Sequence, residues 1–375
     1  MDLASIILYL IPVLMCLFGA IEYDINGRRK GGKLLWGVIF VYMTLFMGLR
    51  YGVGGDTINY MGDFEWIPTF ENYSFILPNR FDPGFNFLMV VGKSITKKFV
   101  GFQLLHIVIF NFLLFRAIQL YSKCRFGVFF CTLFIFYYYF TTEILRESLA
   151  VLIFVNCYKL YIDKKWHKYI LMVIVCGLMH RGALFLLFLP FVSWVKFNQT
   201  YVFLYIGTLA VGIALNHVFS ILNHIAFIAD NSLHYQSDTT HGLLADGLVF
   251  LRLTGFPLLV SLLIKYRNRR VGGEFKFENA NAILVLLGLL SYFSPIIFAR
   301  LCNYFLVFFS ITLGDIIVEL IRKQVRTAHQ NAIVLLFGLV TIYGSSFVMY
   351  NYYTRLLPYY SVFNPVDVDR DSFEK

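Results

Sequence analysis

LLWGVIFVYMTLFMGLRYGVGGDTINY, residues 34–60, decides the fold of this 375-residue chain. An uncharged apolar run from Leu34 to Leu49 ends abruptly at Arg50, followed by a glycine cluster and Asp56. Such a run reads as a helix with its end at a membrane–water boundary. Gly52, Gly54 and Gly55 give the loop beyond it freedom to close around a ligand. Arg50 is a fixed cation whose fork matches a phosphate with two parallel hydrogen bonds. The competing reading is a plain turn whose arginine reaches into the headgroups.

The same pattern recurs along the chain. It is 59% hydrophobic, 19% aromatic and 14% charged, with a mean hydropathy of +0.69. Soluble domains carry about 25% charged residues, so these numbers predict an all-α polytopic integral membrane protein. Residues 1–364 form one membrane domain and residues 365–375 a polar tail, since no linker-like stretch divides the chain. The N-terminus has neither a basic start nor a small-residue cleavage site and reads as the first crossing. The net charge of +10 falls in short clusters between apolar runs, with no RNA-binding signature, which argues against nucleic acid. The six cysteines form no CxxC pair, and neither a metal site nor a disulfide framework is expected.

Apolar segments lie at about 3–21, 34–49, 100–120, 126–141, 143–162, 168–180, 183–195, 200–218, 246–264, 280–299, 301–320 and 330–350. The 168–195 region reads as one long helix or as two short ones broken near His180-Arg181-Gly182. Basic clusters decide between them: Arg28-Arg29-Lys30 with Lys33, Lys123 with Arg125, Lys164-Lys165 with Lys168, Lys265 with Arg267, Arg269 and Arg270, and Arg322-Lys323 with Arg326. Breaking the region puts every cluster on the cytoplasmic side, which gives 10–12 crossings, twelve on the preferred count, with both termini outside. Splitting 200–229 instead restores the same parity. Outer loops then cover about 51–99 and 219–245. Within the first, Pro83–Val91 is apolar but short, and is expected to be interfacial or re-entrant.

With those clusters set aside, Arg50, Arg80, Arg146, Arg181, Arg300 and Arg355 remain at or near outer helix ends. Arginine is disfavoured there, and several together predict an anionic substrate at the outer leaflet. Each also has a structural reading: Glu143 and Glu147 flank Arg146 at helical spacing as ion-pair partners, and His180 fits a packed core. Tyr137-Tyr138-Tyr139 reads as an interfacial belt. His224, Asp230, His234, Asp238, His241 and Asp246 match no tight ligand spacing and read as solvated loop rather than metal site.

RYGVGGDTINY (50–60), FDPGFNFL (81–88), LRESLAVLIF (145–154), DKKWHKYILMVIVCGLMHRGALFLL (163–187), ARLCNYF (299–305) and LPYYSVF (357–363), in that order, resemble the EpsG family of polysaccharide-biosynthesis membrane proteins. The resemblance implies a Wzy-like polymerase with a GT-C-like multi-helix fold in the bacterial cytoplasmic (inner) membrane. Its implied substrate is an undecaprenyl-diphosphate-linked oligosaccharide repeat unit. The implied product is exopolysaccharide, capsule or O-antigen, with a chain-length regulator and a flippase as further partners. The chain departs from the family in having Glu147 where Gln often follows the helix-start arginine.

Glycosyl transfer of this kind needs cations for the departing diphosphate, here Arg50, Arg146, Arg181 and Arg300, then Arg80 and Arg355. It also needs a base for the acceptor hydroxyl, with Asp56 the first candidate, His180 the second, and Glu147 and Asp82 behind. No cofactor or metal is expected; the nearest acidic pair, in DVDRD (367–371), lies in the tail. A flippase or exporter of lipid-linked sugars would distribute its cations through a cavity facing both sides, and its two halves would look alike. A membrane O-acyltransferase would use a catalytic histidine, for which His180 is the feature in favour. A structural scaffold leaves the polar groups at membrane depth unexplained.

Overall fold

The computed structural model describes residues 3–72, 81–224, 247, 249–271, 275–322 and 356–365. Helices carry nearly all of it, as the absence of water in a bilayer core requires of a spanning backbone. Three helices among these residues are long and apolar enough to cross a membrane, namely Leu3–Ile25, Phe99–Tyr121 and Ile297–Arg322. Shorter apolar helices accompany them, and the chain is a multi-pass α-helical membrane protein. The residues divide into two compact units, Met1–Leu187 with Leu313–Lys375, and Phe188–Thr312.

The first unit opens with α1 (Leu3–Gly19), which continues as a π turn to Ile25, and α2 (Gly32–Gly48). Buried Trp36, Ile39, Met43 and Met47 recur along α2 at helical spacing, while Leu34, Val38, Val41 and Leu45 are exposed. That division is the signature of a helix with protein on one face and lipid on the other. Next come α3 (Gly55–Glu65), α4 (Pro83–Ile95) and α5 (Phe99–Tyr121). The expected 51–99 loop thus contains two helices and a short 3-10 turn, Phe70–Asn72. At 1.5 Å per residue α4 is roughly 20 Å long, short of a roughly 30 Å hydrocarbon core.

Helix α6 (Arg125–Thr132) runs through a π turn into α7 (Tyr138–Thr142), followed by α8 (Leu145–Ile162) and α9 (Trp166–Met179). α9 stops where the sequence left two readings open. His180 adopts an extended conformation, and residues Arg181–Val192 form a 3-10 segment. The Tyr169 hydroxyl donates to Leu186 O at 2.7 Å, folding that segment back on α9.

Helix α5 is the hub, packed against α2, α4 and α8. Interhelical hydrogen bonds hold the hub in register: Asn111 Nδ2 to Thr44 Oγ1 at 3.0 Å, Tyr137 OH to Asn111 Oδ1 at 2.8 Å, and Asn156 Nδ2 to Leu113 O at 2.9 Å. Each contributes about 0.6 kcal/mol in a membrane interior. Buried Asp24 caps α6 by accepting from Phe126 N and Gly127 N, both at 2.9 Å, and Arg322 donates to the Asp24 carbonyl.

The second unit contains α10 (Gln199–His224), α11 (Phe256–Val271), α12 (Glu278–Phe293) and the first part of α13 (Pro295–Arg322). Glu278 anchors it, accepting from Phe197 N at 3.0 Å and pairing with Lys265. Asn279 Nδ2 donates to Val192 O and Val195 O, both at 2.9 Å. The expected helix break at residues 299–301 lies instead at Ser294, immediately before Pro295. Proline lacks the N–H that would continue the ladder, so it starts a helix and cannot extend the previous one. The expected segment 330–350 and the His/Asp loop from 225 to 246 lie outside the described residues.

Candidate substrate site

The glycine loop is built around two buried charges. Arg50 is 1% exposed. Its Nη1 donates to Met47 O, and its Nη2 to Thr141 O at 2.5 Å and Thr57 Oγ1 at 3.4 Å. These carbonyls belong to the last turns of α2 and α7, where a cation offsets the negative helix ends. Burial lowers the guanidinium to about 10, opposed by Tyr359, Tyr9, Tyr137 and Glu143, so it stays protonated at neutral pH. Glu143 does the converse at the start of α3, accepting from Gly55 N at 2.9 Å and Asp56 N at 3.1 Å. Thr57 Oγ1 donates to Thr142 O at 2.9 Å.

Gly52 and Gly54 have φ of +61° and +99°, a region that side chains resist. Gly55 opens α3 without that requirement. The segment 356–364 then ties the loop from outside: Tyr51 N donates to Tyr360 O and Val362 N to Leu49 O, both at 2.9 Å. Asp56 is exposed on the first turn of α3, within 3.4 Å of Asn59 Nδ2.

A second polar group forms where three chain segments end. Asp82 is the N-cap of α4, Arg146 and Glu147 lie in the first turn of α8, and His180 and Arg181 follow the end of α9. Asp82 is 5% exposed and faces three basic side chains. Arg181 Nε donates to its Oδ1 at 3.2 Å, while Arg146 Nη1 and His180 Nδ1 each lie 3.6 Å from Oδ2. The other ring nitrogen of His180, Nε2, is 4.0 Å from Glu147 Oε2.

Arg146 is held in three ways: by Asp82, by the Tyr60 hydroxyl 3.4 Å from its Nε, and by the Phe81 ring 5.2 Å from its guanidinium carbon. Burial raises the Tyr60 hydroxyl above its ordinary pKa, with Arg146 pulling the other way. Tyr60 and Phe81 sit in an aromatic core with Phe64, Phe85 and Phe102, which fixes one side of the group. The side chain of Arg146 is 27% exposed and that of Arg181 77%, so the cationic side is the open one. Close approach makes the group possible: a Cβ on Gly84 would lie 3.0 Å from Leu178 O.

The structure therefore brings Arg146, Arg181, His180, Glu147 and Asp82 together. Arg50 lies in the loop core with backbone carbonyls as its partners, and Arg300 is exposed on α13 in the second unit. Arg80 and Arg355 lie outside the described residues. Glu143, read as a partner of Arg146, caps α3, and Arg146 pairs with Asp82. Tyr60 and Phe81 were not foreseen; the one available signal was their place inside the motifs at 50–60 and 81–88. Among the described residues, no three His, Cys, Asp or Glu side chains are grouped as metal ligands.

Chemically, the group is two cations with an imidazole between two carboxylates. It can bind an anion at its open side and move a proton at its buried side. The model of the EpsG family matches residues 33–361. No curated protein and no solved structure matches the chain.

Proposed function

The chain belongs to the EpsG family, and we propose that it joins lipid-diphosphate-linked oligosaccharide repeat units by glycosyl transfer at the outer face of a bacterial cytoplasmic membrane. Family membership supports a polysaccharide polymerase-like role in general. The observation that carries the finer reading is the convergence of Arg146, Arg181, His180, Glu147 and Asp82.

In this reading Arg146 and Arg181 receive the diphosphate of the donor, exchanging Asp82 for phosphate oxygens. The acceptor hydroxyl oxygen forms a bond to the anomeric carbon while the bond from that carbon to the diphosphate breaks. The electron pair leaves with the diphosphate, where the two guanidinium groups stabilise the charge. The hydroxyl proton passes to the pair of His180 and Glu147. Arg50 acts at one remove by holding the loop that leads into α3, the helix that carries Tyr60. Undecaprenol is the lipid the family implies, and a chain-length regulator and a flippase are the partners such a pathway would supply.

Deleting the gene and resolving surface and lipid-linked glycans on gels tests the proposal. The expected result is loss of the polymer ladder with single repeat units still reaching the surface. Loss of all surface sugar, with repeat units accumulating inside, would make the protein an exporter instead.

A further inference from the structure

Asn86 is fully buried, and among the described residues neither Oδ1 nor Nδ2 of its carboxamide has a hydrogen-bond partner. Buried amides in native proteins are nearly always paired, so a carboxamide with both ends unmet calls for a partner. Asn86 lies one turn beyond Asp82, with its backbone N–H on the Asp82 carbonyl at 2.9 Å, and the two side chains share a face of α4. Asp82 Oδ2 also makes no hydrogen bond among the described residues; its neighbours there are Arg146 and His180 at 3.6 Å. A donor and an acceptor on one amide thus lie one helical turn from a carboxylate that faces the imidazole.

The chemistry selects the ligand. A phosphate only accepts hydrogen bonds and would leave Oδ1 of the amide unmatched. A hydroxyl both donates and accepts. We propose that Asn86 is the specificity-determining contact for a hydroxyl of the acceptor sugar, seated between Asn86 and Asp82 within reach of His180. The inference rests on the polymerase reading above. Occupation follows diphosphate binding, because an anion on Arg146 and Arg181 loosens their hold on Asp82.

The test uses wild type, Asn86→Leu and Asn86→Asp in proteoliposomes. The donor is the lipid-diphosphate repeat unit extracted from cells lacking this protein. The acceptors are that unit and a set of versions each lacking one hydroxyl of the terminal sugar. Leu keeps the branched outline of the side chain and removes an unmet polar group, so its thermal midpoint is expected to stay close to wild type. Its KM for the natural acceptor rises about tenfold or more. Asp keeps the shape but not the donor and shows the same rise. One deoxy acceptor is poor with wild type and no poorer with either variant, the non-additivity of a direct contact.

A midpoint that falls with the rate in both variants would make Asn86 structural and overturn the inference. So would equal losses for every acceptor, or undiminished transfer. Wild type that transfers to no acceptor would overturn the polymerase reading, and this inference with it.

Discussion

Arg50→Lys separates a loop-building arginine from a substrate-binding one. The arginine fork reaches three buried acceptors, Met47 O, Thr141 O and Thr57 Oγ1. A lysine ammonium sits at a single point on its stem and cannot span the carbonyls of two helix ends. At least one carbonyl then loses a charge-assisted bond of about 1.5–3 kcal/mol and is left buried without a donor, at about 1–3 kcal/mol. These terms overlap, and together they destabilise the loop core by about 3 kcal/mol. At about 2–4 °C per kcal/mol for a unit of this size, the apparent melting temperature falls by about 6–12 °C. The assay is intrinsic fluorescence of purified protein on heating, with polymer length measured on cells grown cold and warm. Polymerisation should survive in the cold and fail in the warm. A variant with the wild-type melting temperature and no polymer at any growth temperature would mean that Arg50 touches substrate, and the structural account of it would be refuted.

Gly54→Ala puts a methyl 2.6 Å from Thr142 Cβ at a φ of +99°, which should cost about 2–4 kcal/mol; faster limited proteolysis between residues 50 and 60 is the readout, and wild-type resistance would contradict it. Gly182→Ala places a methyl 2.7 Å from His180 Nε2 and turns the ring, so transfer should drop at least tenfold while the lipid diphosphate still binds. Equal loss of binding and transfer would assign His180 to anion binding instead. Tyr60→Phe removes one hydrogen bond to Arg146, about 0.5–1.5 kcal/mol, and should raise donor KM about 2- to 10-fold with kcat near wild type in a proteoliposome assay. A change confined to kcat would speak against Tyr60 as a positioning group.

The helical membrane architecture was legible because apolar runs bounded by basic clusters leave little choice in a bilayer. The stop after α9 was legible too, since His180-Arg181-Gly182 interrupts an apolar stretch. Arg300 was misplaced relative to the helix break because an arginine in an apolar run looks like a terminus, whereas Pro295 ends the ladder physically. The partners of Arg50 could not be read from the chain. A guanidinium donates to phosphate oxygens and helix carbonyls alike, and only packing decides which it meets. The tie between residues 49–51 and 360–362 joins segments some three hundred positions apart, which no local pattern encodes. The same holds for Asp82 as the common partner of Arg146, Arg181 and His180.

In the proposed reaction Arg146 and Arg181 hold the donor diphosphate for glycosyl transfer beside His180. Its most direct test is transfer between purified lipid-diphosphate repeat units by the protein in proteoliposomes, compared with Arg146→Ala, Arg181→Ala and the double variant. Polymer is expected with wild type, at least about tenfold loss in each single variant and no detectable polymer in the double, with all four proteins inserted at equal levels. Wild-type polymer lengths from the double variant would contradict it.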